Sequence, residues 1–177
     1  MKSLVGIASG KKITTFNVPS GVESVENFNN VYVKVLNIPA SVRYLPYENE
    51  DDDFTFFGSL EKINVSSSNK FYSSYGGVLY NKSKTYLIVY PNFKKDKSYK
   101  IPNTVNKLSF IINDYLENIT LPDNLGKGYY YFFNSLEKLK SVSVSKKSKN
   151  YYSKNGVLFN KERDTLIYYP AGKKSKK

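Results

Sequence analysis

The chain contains one long sequence block twice, and this repetition limits its fold more than any other feature. Each copy combines a Phe-Phe-x-Ser-Leu-Glu-Lys segment, a Gly-Val-Leu segment and a segment that ends in Tyr-Pro. These segments span residues 56–63, 77–82 and 87–91 in the first copy, and 132–139, 156–161 and 166–170 in the second. Repeats of this size stack so that each copy covers its neighbour, and we therefore expect a solenoid.

A shorter pattern of apolar residues recurs six times along the chain. One apolar residue is followed by two spacers, a second apolar residue, one spacer and a third, over residues 13–18, 33–38, 60–65, 99–101 (in part), 116–121 and 139–144. The alternation at the end of each segment predicts a short strand with one buried face. Such a strand cannot bury that face alone, so the six strands are expected to lie side by side in one parallel sheet.

A larger period combines two short repeats with one long repeat, and this combination occurs twice. Pro19 recurs as Pro102, and Gly77 recurs as Gly156 at nearly the same separation. The expected organisation is a lead-in over residues 1–11, one solenoid over 12–172 with super-repeats at about 12–91 and 95–170, and a basic tail over 173–177.

Each long repeat also predicts a β-hairpin. Residues 78–80 and 86–90 flank a short polar segment, and residues 157–159 and 166–169 do the same in the second copy. Two apolar runs around a short polar turn are typical of a hairpin. Gly77 and Gly156 precede the hairpins, where glycine allows a tight bend.

The composition excludes several kinds of chemistry. The chain has no Cys and no His, so it cannot form disulfides, thiolate metal sites or cysteine nucleophiles, and it lacks the commonest general base. It shows no glycine-rich phosphate loop, nucleophile elbow or paired carboxylates. We therefore expect no enzymatic activity and no cofactor or metal. The lack of Cys is compatible with a secreted and with a cytosolic protein.

The net charge of +12 favours anionic partners such as nucleic acid, lipid head groups or acidic wall polymers. The alternative is that the lysines only provide solubility and reflect AT-rich codon usage. No segment reaches the roughly 18 apolar residues of a membrane span. The apolar part of residues 1–8 is too short for a signal peptide.

The repeats resemble the BspA-type leucine-rich repeat family of bacterial surface proteins over about residues 12–172. The resemblance rests on the Ile-Pro and Leu-Pro strand ends, the Phe-Phe-x-Ser-Leu-Glu-Lys blocks, and the blocks at 72–91 and 151–170 that contain Gly-Val-Leu-Tyr/Phe-Asn-Lys and end in Leu-Ile-x-Tyr-Pro. The family usually has Ala-Phe followed by Cys, whereas Phe-Phe-Gly at 56–58 and Phe-Phe-Asn at 132–134 stand here.

The resemblance implies a mainly β leucine-rich repeat solenoid. A short-stranded parallel sheet would line its concave face, and β-hairpin insertions would lie in the long repeats. The resemblance implies no catalytic residues in this chain. Together with the doubled repeat and the lack of catalytic side chains, the resemblance favours a non-catalytic module that binds a protein or a glycan in adhesion at the cell surface or after secretion, with the cytoplasm as the alternative location. We also expect a monomer. The rival hypothesis is a basic protein that binds nucleic acid or another anionic polymer.

The candidate partner-binding residues are the polar spacers within the predicted strands. Solenoids commonly bind partners on the face that the strands form. The alternative is that these side chains only solvate the sheet. They are Thr15, Asn17, Asn37, Lys62, Asn64, Ser98, Lys100, Asn118, Thr120, Ser141 and Ser143, with Val35 in the same pattern.

Three other segments have two interpretations each. The acidic residues 48–53 could hold Ca²⁺, but they lack calcium-loop spacing, so a solvated loop is favoured. The aromatic residues 129–133, with Tyr151 and Tyr152, could stack nucleotides, but their recurrence at the repeat period favours core packing. The basic tail could touch an anionic surface or begin a further repeat.

Overall fold

The computed structural model describes residues 1–6, 12–26, 32–45, 59–128, 133 and 136–174. Within these residues the regular structure consists of short β-strands and no helix. The strands are β1 (Ser3–Leu4), β2 (Thr15–Asn17), β3 (Ser24–Val25), β4 (Val35–Ile38), β5 (Lys62–Val65), β6 (Tyr72–Tyr75), β7 (Val78–Asn81), β8 (Tyr86–Val89), β9 (Ser98–Lys100), β10 (Lys107–Leu108), β11 (Asn118–Leu121), β12 (Ser141–Val144), β13 (Tyr151–Lys154), β14 (Val157–Asn160) and β15 (Leu166–Tyr168).

The chain divides into two compact units. Unit 1 contains Met1–Ser83 and Leu87–Lys94, and unit 2 contains Lys84–Tyr86 and Lys95–Lys177. Each unit therefore holds two short repeats and one long repeat.

In unit 1, the strands β2, β4 and β5 form a parallel sheet in the order in which the chain visits them. The register aligns Phe16 with Leu36 and Leu36 with Ile63. Leu36, Ile38 and Ile63 are buried, while the residues between them lie on the opposite face. This is the alternation that the sequence pattern predicts, because successive side chains of a strand point to opposite faces.

Unit 2 contains the equivalent parallel sheet of β9, β11 and β12. The register aligns Tyr99 with Ile119 and Ile119 with Val142. Ile119, Leu121 and Val142 are buried in the core of the unit. The predicted solenoid of stacked, short parallel strands is thus confirmed.

A second, smaller ladder links the repeats where the chain returns from each strand. In unit 1, β1 pairs with β3 in parallel, and Ser24 forms a parallel bridge to Tyr44. The lead-in expected over residues 1–11 therefore contains a paired strand. In unit 2, the amides of Asn106 and Gly126 donate to Thr85 O and Asn106 O at 2.8 and 3.0 Å.

A buried asparagine stabilises the turn that leads from β5 to β6. Asn69 Nδ2 donates to Pro39 O and Val42 O at 2.8 and 2.9 Å, and Asn69 Oδ1 accepts from the amides of Phe71 and Tyr72. All four hydrogen-bonding positions of the amide are used, as burial requires. The side chain therefore ties the long repeat to the preceding short repeat.

In unit 2, two residues make the hydrogen bonds that Asn69 makes alone in unit 1. Ser148 Oγ accepts from the Tyr151 amide, and Asn150 Nδ2 donates to Leu125 O at 2.7 Å. The same connection between repeats is therefore made with different side chains.

Each long repeat forms a three-stranded antiparallel meander, β6-β7-β8 in unit 1 and β13-β14-β15 in unit 2. The predicted hairpins, β7-β8 and β14-β15, are confirmed, whereas β6 and β13 were not expected. The turns Gly76-Gly77 and Asn155-Gly156 join the first two strands, and all four residues have positive φ, between 52° and 80°. Two successive residues with positive φ define the type I′ turn, which matches the twist of hairpin strands.

The first hairpin of unit 1 ends the parallel sheet. The Ile63 amide donates to Gly77 O at 2.9 Å, and the Val65 amide donates to Ser74 Oγ at 3.0 Å. The hairpin thereby occupies the edge of β5 at which a further parallel strand would pair.

Unit 2 repeats this contact at the equivalent positions of its own long repeat. The Val142 amide donates to Gly156 O at 2.9 Å, and the Val144 amide donates to Ser153 Oγ at 3.1 Å. The expectation of one continuous six-stranded parallel sheet is therefore wrong. Each unit has its own three-stranded sheet, which the hairpin of the long repeat closes.

Replacement of Gly156 by alanine tests this contact. A Cβ at Gly156 would lie 2.9 Å from Ser141 Oγ and 3.1 Å from Ser141 Cα, whereas a Cβ at Gly128, which also has positive φ, would meet nothing within 4 Å. We expect Gly128→Ala to lower the free energy of unfolding by about 1–2 kcal/mol, through backbone strain alone. Gly156→Ala should lower it by about 2–5 kcal/mol, because the steric cost is added. Urea unfolding measures both, and equal losses would contradict the docked hairpin.

Candidate functional site

The predicted binding residues of unit 1 lie together on the outer face of its parallel sheet. The register aligns Thr15 with Val35 and Val35 with Lys62, and it aligns Asn17, Asn37 and Asn64 in a second row. Thr15, Asn17 and Lys62 are exposed, and the other three are half-buried. We call these six residues the polar face of unit 1.

The three asparagines form a hydrogen-bonded ladder across the strands. Asn37 Nδ2 donates to Asn17 Oδ1 at 2.6 Å, and Asn64 Nδ2 donates to Asn37 Oδ1 at 2.7 Å. Parallel strands lie about 4.8 Å apart, and identical amides in register can therefore bond from strand to strand. The ladder fixes the orientation of each amide, so a ligand would meet donors and acceptors that are already ordered.

Unit 2 presents a comparable face with different side chains. It consists of Ser98, Lys100, Asn118, Thr120, Ser141 and Ser143. Asn118 Nδ2 donates to Ser98 Oγ at 3.2 Å, and the hydroxyl oxygens of Thr120 and Ser143 are hydrogen-bonded at 2.9 Å. Short hydroxyl side chains thus replace the asparagine ladder. We call these six residues the polar face of unit 2.

A charged row lies immediately before the strands of each sheet, and the sequence analysis did not identify it. In unit 1, Lys34 Nζ lies 3.3 Å from Glu61 Oε1. In unit 2, Glu117 lies between two lysines, 3.5 Å from Lys97 Nζ and 2.6 Å from Lys140 Nζ. The signal was present in the sequence, because these residues precede their strands by one position in successive repeats.

The lysines around Glu117 change its acidity. The hydrogen bond from Lys140 lowers the pKa of the Glu117 carboxyl below its ordinary value, and the charges of Lys140 and Lys97 lower it further. The cause is that both lysines favour the ionised carboxylate. The row therefore links three successive repeats of unit 2 by charge at neutral pH.

The aromatic residues proposed for the core divide into two groups. Phe133 and Tyr151 are buried, as core packing requires. Tyr152 is only half-buried, and Arg163 Cζ lies 4.1 Å from the centre of its ring. The segments 48–53, 129–132 and 175–177, which include the acidic run and part of the tail, lie outside the described residues.

The described part of the chain offers neither a metal-binding cluster nor a membrane-spanning helix. No group of three Asp or Glu side chains there is placed to hold a metal ion. The same residues contain no helix that is long and apolar enough to span a membrane.

Stacked repeats, each contributing one short parallel strand and a return segment, define the leucine-rich repeat class. The chain is similar to the structure of the pneumococcal vaccine antigen PcpA, with 29% sequence identity and a TM-score of 0.55. It is similar to a leucine-rich repeat protein from Eubacterium ventriosum, with 29% identity and a TM-score of 0.54. The chain therefore has the leucine-rich repeat fold of these bacterial proteins, and the resemblance inferred from its motifs is confirmed.

These similarities cover most of the present chain but less than half of either relative. They span 69% of this chain and 33% of PcpA, and 73% of this chain and 41% of the Eubacterium protein. No protein-family model and no curated protein matches the chain.

The charged row of unit 2 predicts a pH-dependent contribution to stability. Because the pKa of Glu117 is lowered in the folded state, its contribution is present above the pKa of an unfolded glutamate, about 4.3, and is lost as the pH falls through the lowered value. Glu117→Gln should therefore lower the melting temperature at pH 7 and have less effect at pH 3. Lys140→Gln should act in the same way, and Lys127→Gln, outside the row, is the control. An effect of Glu117→Gln that is equal at both pH values would contradict the assignment.

Proposed function

We propose that this chain is a non-catalytic binding module that holds a protein or a glycan against the polar faces of its parallel sheets. The asparagine ladder of unit 1 is the observation that carries the proposal. A sheet needs no side-chain hydrogen bonds between strands to form, because its backbone already pairs. Ordered amides at half-exposed positions instead suit a partner that forms directional hydrogen bonds.

The chemistry of the two polar faces favours a polar ligand. Carboxamides both donate and accept hydrogen bonds, as hydroxyl groups do, so they match peptide groups and sugar hydroxyls equally well. Lys62 and Lys100 each add one exposed cation to their face. Since the side chains are already oriented, binding would cost little additional conformational entropy.

The proposed location is the cell surface or the exterior of a bacterium. The support is the similarity to PcpA, a vaccine antigen, together with the repeat class of the chain. A role in adhesion would follow from a host protein or glycan as the partner. The absence of His and Cys from the sequence agrees with a role in binding rather than catalysis.

A pair of matched double variants tests the proposal. Lys62→Glu with Lys100→Glu changes both polar faces, whereas Lys70→Glu with Lys127→Glu makes the same change in charge at exposed positions outside the strands. Binding would be measured on a glycan array and on immobilised extracellular-matrix proteins. We expect the first variant to weaken binding by at least about tenfold and the second to leave it within about twofold. Equal losses in the two variants would contradict binding through the polar faces.

A second candidate function is binding of an anionic polymer, and the distribution of charge favours it. Unit 1 contains 9 Lys and Arg against 8 Asp and Glu, a net charge of +1. Unit 2 contains 18 Lys and Arg against 7 Asp and Glu, a net charge of +11. Nearly all of the excess positive charge therefore belongs to unit 2. An even distribution of charged residues along the chain would not produce this difference between the units. A field of this size attracts polyanions at long range.

Salt dependence distinguishes this second function. Binding of a fluorescent oligothymidine or of heparin should weaken steeply between about 50 and 200 mM salt if several lysines contact phosphate or sulfate groups. The variant Lys146→Glu, Lys147→Glu, Lys149→Glu should reduce binding to both probes more than the matched unit 1 variant Lys2→Glu, Lys12→Glu, Lys70→Glu. Salt-independent binding, or equal effects of the two variants, would contradict a polyanion site in unit 2.

A further inference from the structure

The junction between the second short repeat and the long repeat of unit 1 carries exposed aromatic side chains. Phe71, just after the turn that Asn69 stabilises, is 44% exposed, and Tyr44 is 50% exposed. Arg43, which precedes Tyr44, is also exposed, and its Cζ lies 5.9 Å from the centre of the Phe71 ring. A cation at this distance is attracted to the face of an aromatic ring. We call Arg43, Tyr44 and Phe71 the aromatic patch of unit 1.

The backbone that carries the aromatic patch is held by the fold. The amides of Arg43 and Tyr44 donate to Glu23 O at 2.7 and 3.1 Å. Tyr72, which follows Phe71, donates from its hydroxyl group to Arg43 O at 3.1 Å. The two segments of the patch are therefore fixed side by side. A partner would meet a surface whose backbone is already ordered, which lowers the entropic cost of binding.

Unit 2 forms the same junction without these side chains. The hydroxyl group of Tyr151 donates to Gly126 O at 2.7 Å, as that of Tyr72 donates to Arg43 O. By this correspondence, the three positions of the aromatic patch are occupied in unit 2 by Gly126, Lys127 and Asn150. The junction therefore forms with and without an arginine and two aromatic rings, so the packing of the repeats does not require the patch.

The guanidinium group of Arg43 is available to an anion. Within the part of the chain that the structure describes, it forms no ion pair with an Asp or Glu side chain. Guanidinium groups bind carboxylates through two parallel N–H···O hydrogen bonds. Phosphate groups, which carry nearly two charges, are usually bound by several arginines together. A single carboxylate is therefore the anion that suits this position.

The two exposed rings define the other part of the partner. Tyr, Phe and Arg are enriched in protein–protein interfaces, and Tyr and Arg often carry much of the binding energy. An aliphatic or aromatic side chain of a partner would bury ring surface that is now in water. A sugar is the less suitable occupant, since Arg43 already lies over the Phe71 ring and the ring itself offers no hydrogen bond to a hydroxyl group.

We propose that the aromatic patch of unit 1 binds an acidic segment of a protein partner, in which an Asp or Glu residue lies close to an aliphatic or aromatic residue. The carboxylate pairs with the guanidinium group of Arg43, and the apolar side chain packs against Phe71 and Tyr44. The patch lies outside the parallel sheet, so this site does not depend on the binding proposed for the polar faces. It differs from a polyanion site because it needs one carboxylate with an apolar neighbour rather than a row of charges.

Selection of a phage-displayed library of random short peptides on the full-length chain tests the proposal. We expect the enriched peptides to contain Asp or Glu within about two residues of Leu, Ile, Phe or Tyr. A selected peptide, synthesised with a fluorescent label, should bind at least about tenfold more weakly when its acidic residue is replaced by the amide. A selection that yields no such peptides, or an amide peptide that binds equally well, would overturn the proposal.

Variants of the chain locate the binding of the labelled peptide. Arg43→Gln and Phe71→Asn should each weaken it by at least about tenfold. Lys12→Gln and Tyr75→Asn are the matched controls, because they remove an exposed cation that also lies 5.9 Å from an aromatic ring and an exposed ring of unit 1. Both controls, and Lys62→Glu on the polar face, should leave binding within about twofold. A loss with Lys62→Glu but not with Arg43→Gln would place the peptide on the polar face and overturn the proposal.

Thermal unfolding separates a role in binding from a role in the fold. Because the side chains of the patch are exposed, Arg43→Gln and Phe71→Asn should each lower the melting temperature by no more than about 4 °C. A fall of more than about 10 °C would show that these residues serve the fold, and the proposal would then be wrong. Arg43→Lys keeps the positive charge and should retain more of the affinity for the peptide than Arg43→Gln. Equal losses of affinity in these two variants would contradict a carboxylate at this position.

Discussion

Lateral pairing of short parallel strands is the interaction on which the rest of this structure depends. A strand of three or four residues, such as β4 or β11, buries two or three apolar side chains and cannot form a core alone. Leu36 becomes buried only because Phe16 and Ile63 lie beside it in register, and Ile119 depends in the same way on Tyr99 and Val142. The polar faces follow from the same register, since residues between buried positions must point outward. The candidate binding surface is thus a direct consequence of how the repeats pack.

The long repeats limit the extent of this pairing. Their type I′ turns present Gly77 O and Gly156 O to strand amides that would otherwise pair with a further parallel strand. Glycine is required there because the backbone has positive φ and because Ser141 lies against Gly156. The same repeat therefore extends the core and ends the sheet.

The sequence predicts the parallel strands well because their signal is local. The alternation in Leu36-Asn37-Ile38 or Ile119-Thr120-Leu121 is visible without any knowledge of tertiary contacts, and the polar residues between the apolar ones indicate the outer face. Strands β6 and β13 were missed because Tyr72-Ser73-Ser74-Tyr75 shows no such alternation, although Gly76-Gly77 and Asn155-Gly156 are strong hairpin turns. The second ladder has only one or two residues in each strand, and so it leaves no periodic pattern. The role of Asn69 depends on carbonyl groups in the preceding short repeat, which a local pattern cannot reveal.

The polar faces favour a protein or a glycan as the partner, whereas the net positive charge favours a polyanion. The asparagine ladder and the excess of positive charge belong to different units of the chain. The ordered amides lie in unit 1, whose net charge is close to zero, whereas the excess of lysine belongs to unit 2. The polar faces exist only if successive strands are parallel and in register. Interstrand nuclear Overhauser effects in solution measure this register most directly. The account predicts contacts that pair Leu36 with Ile63 and Ile119 with Val142 in parallel, and an antiparallel or shifted pairing of these strands would contradict it.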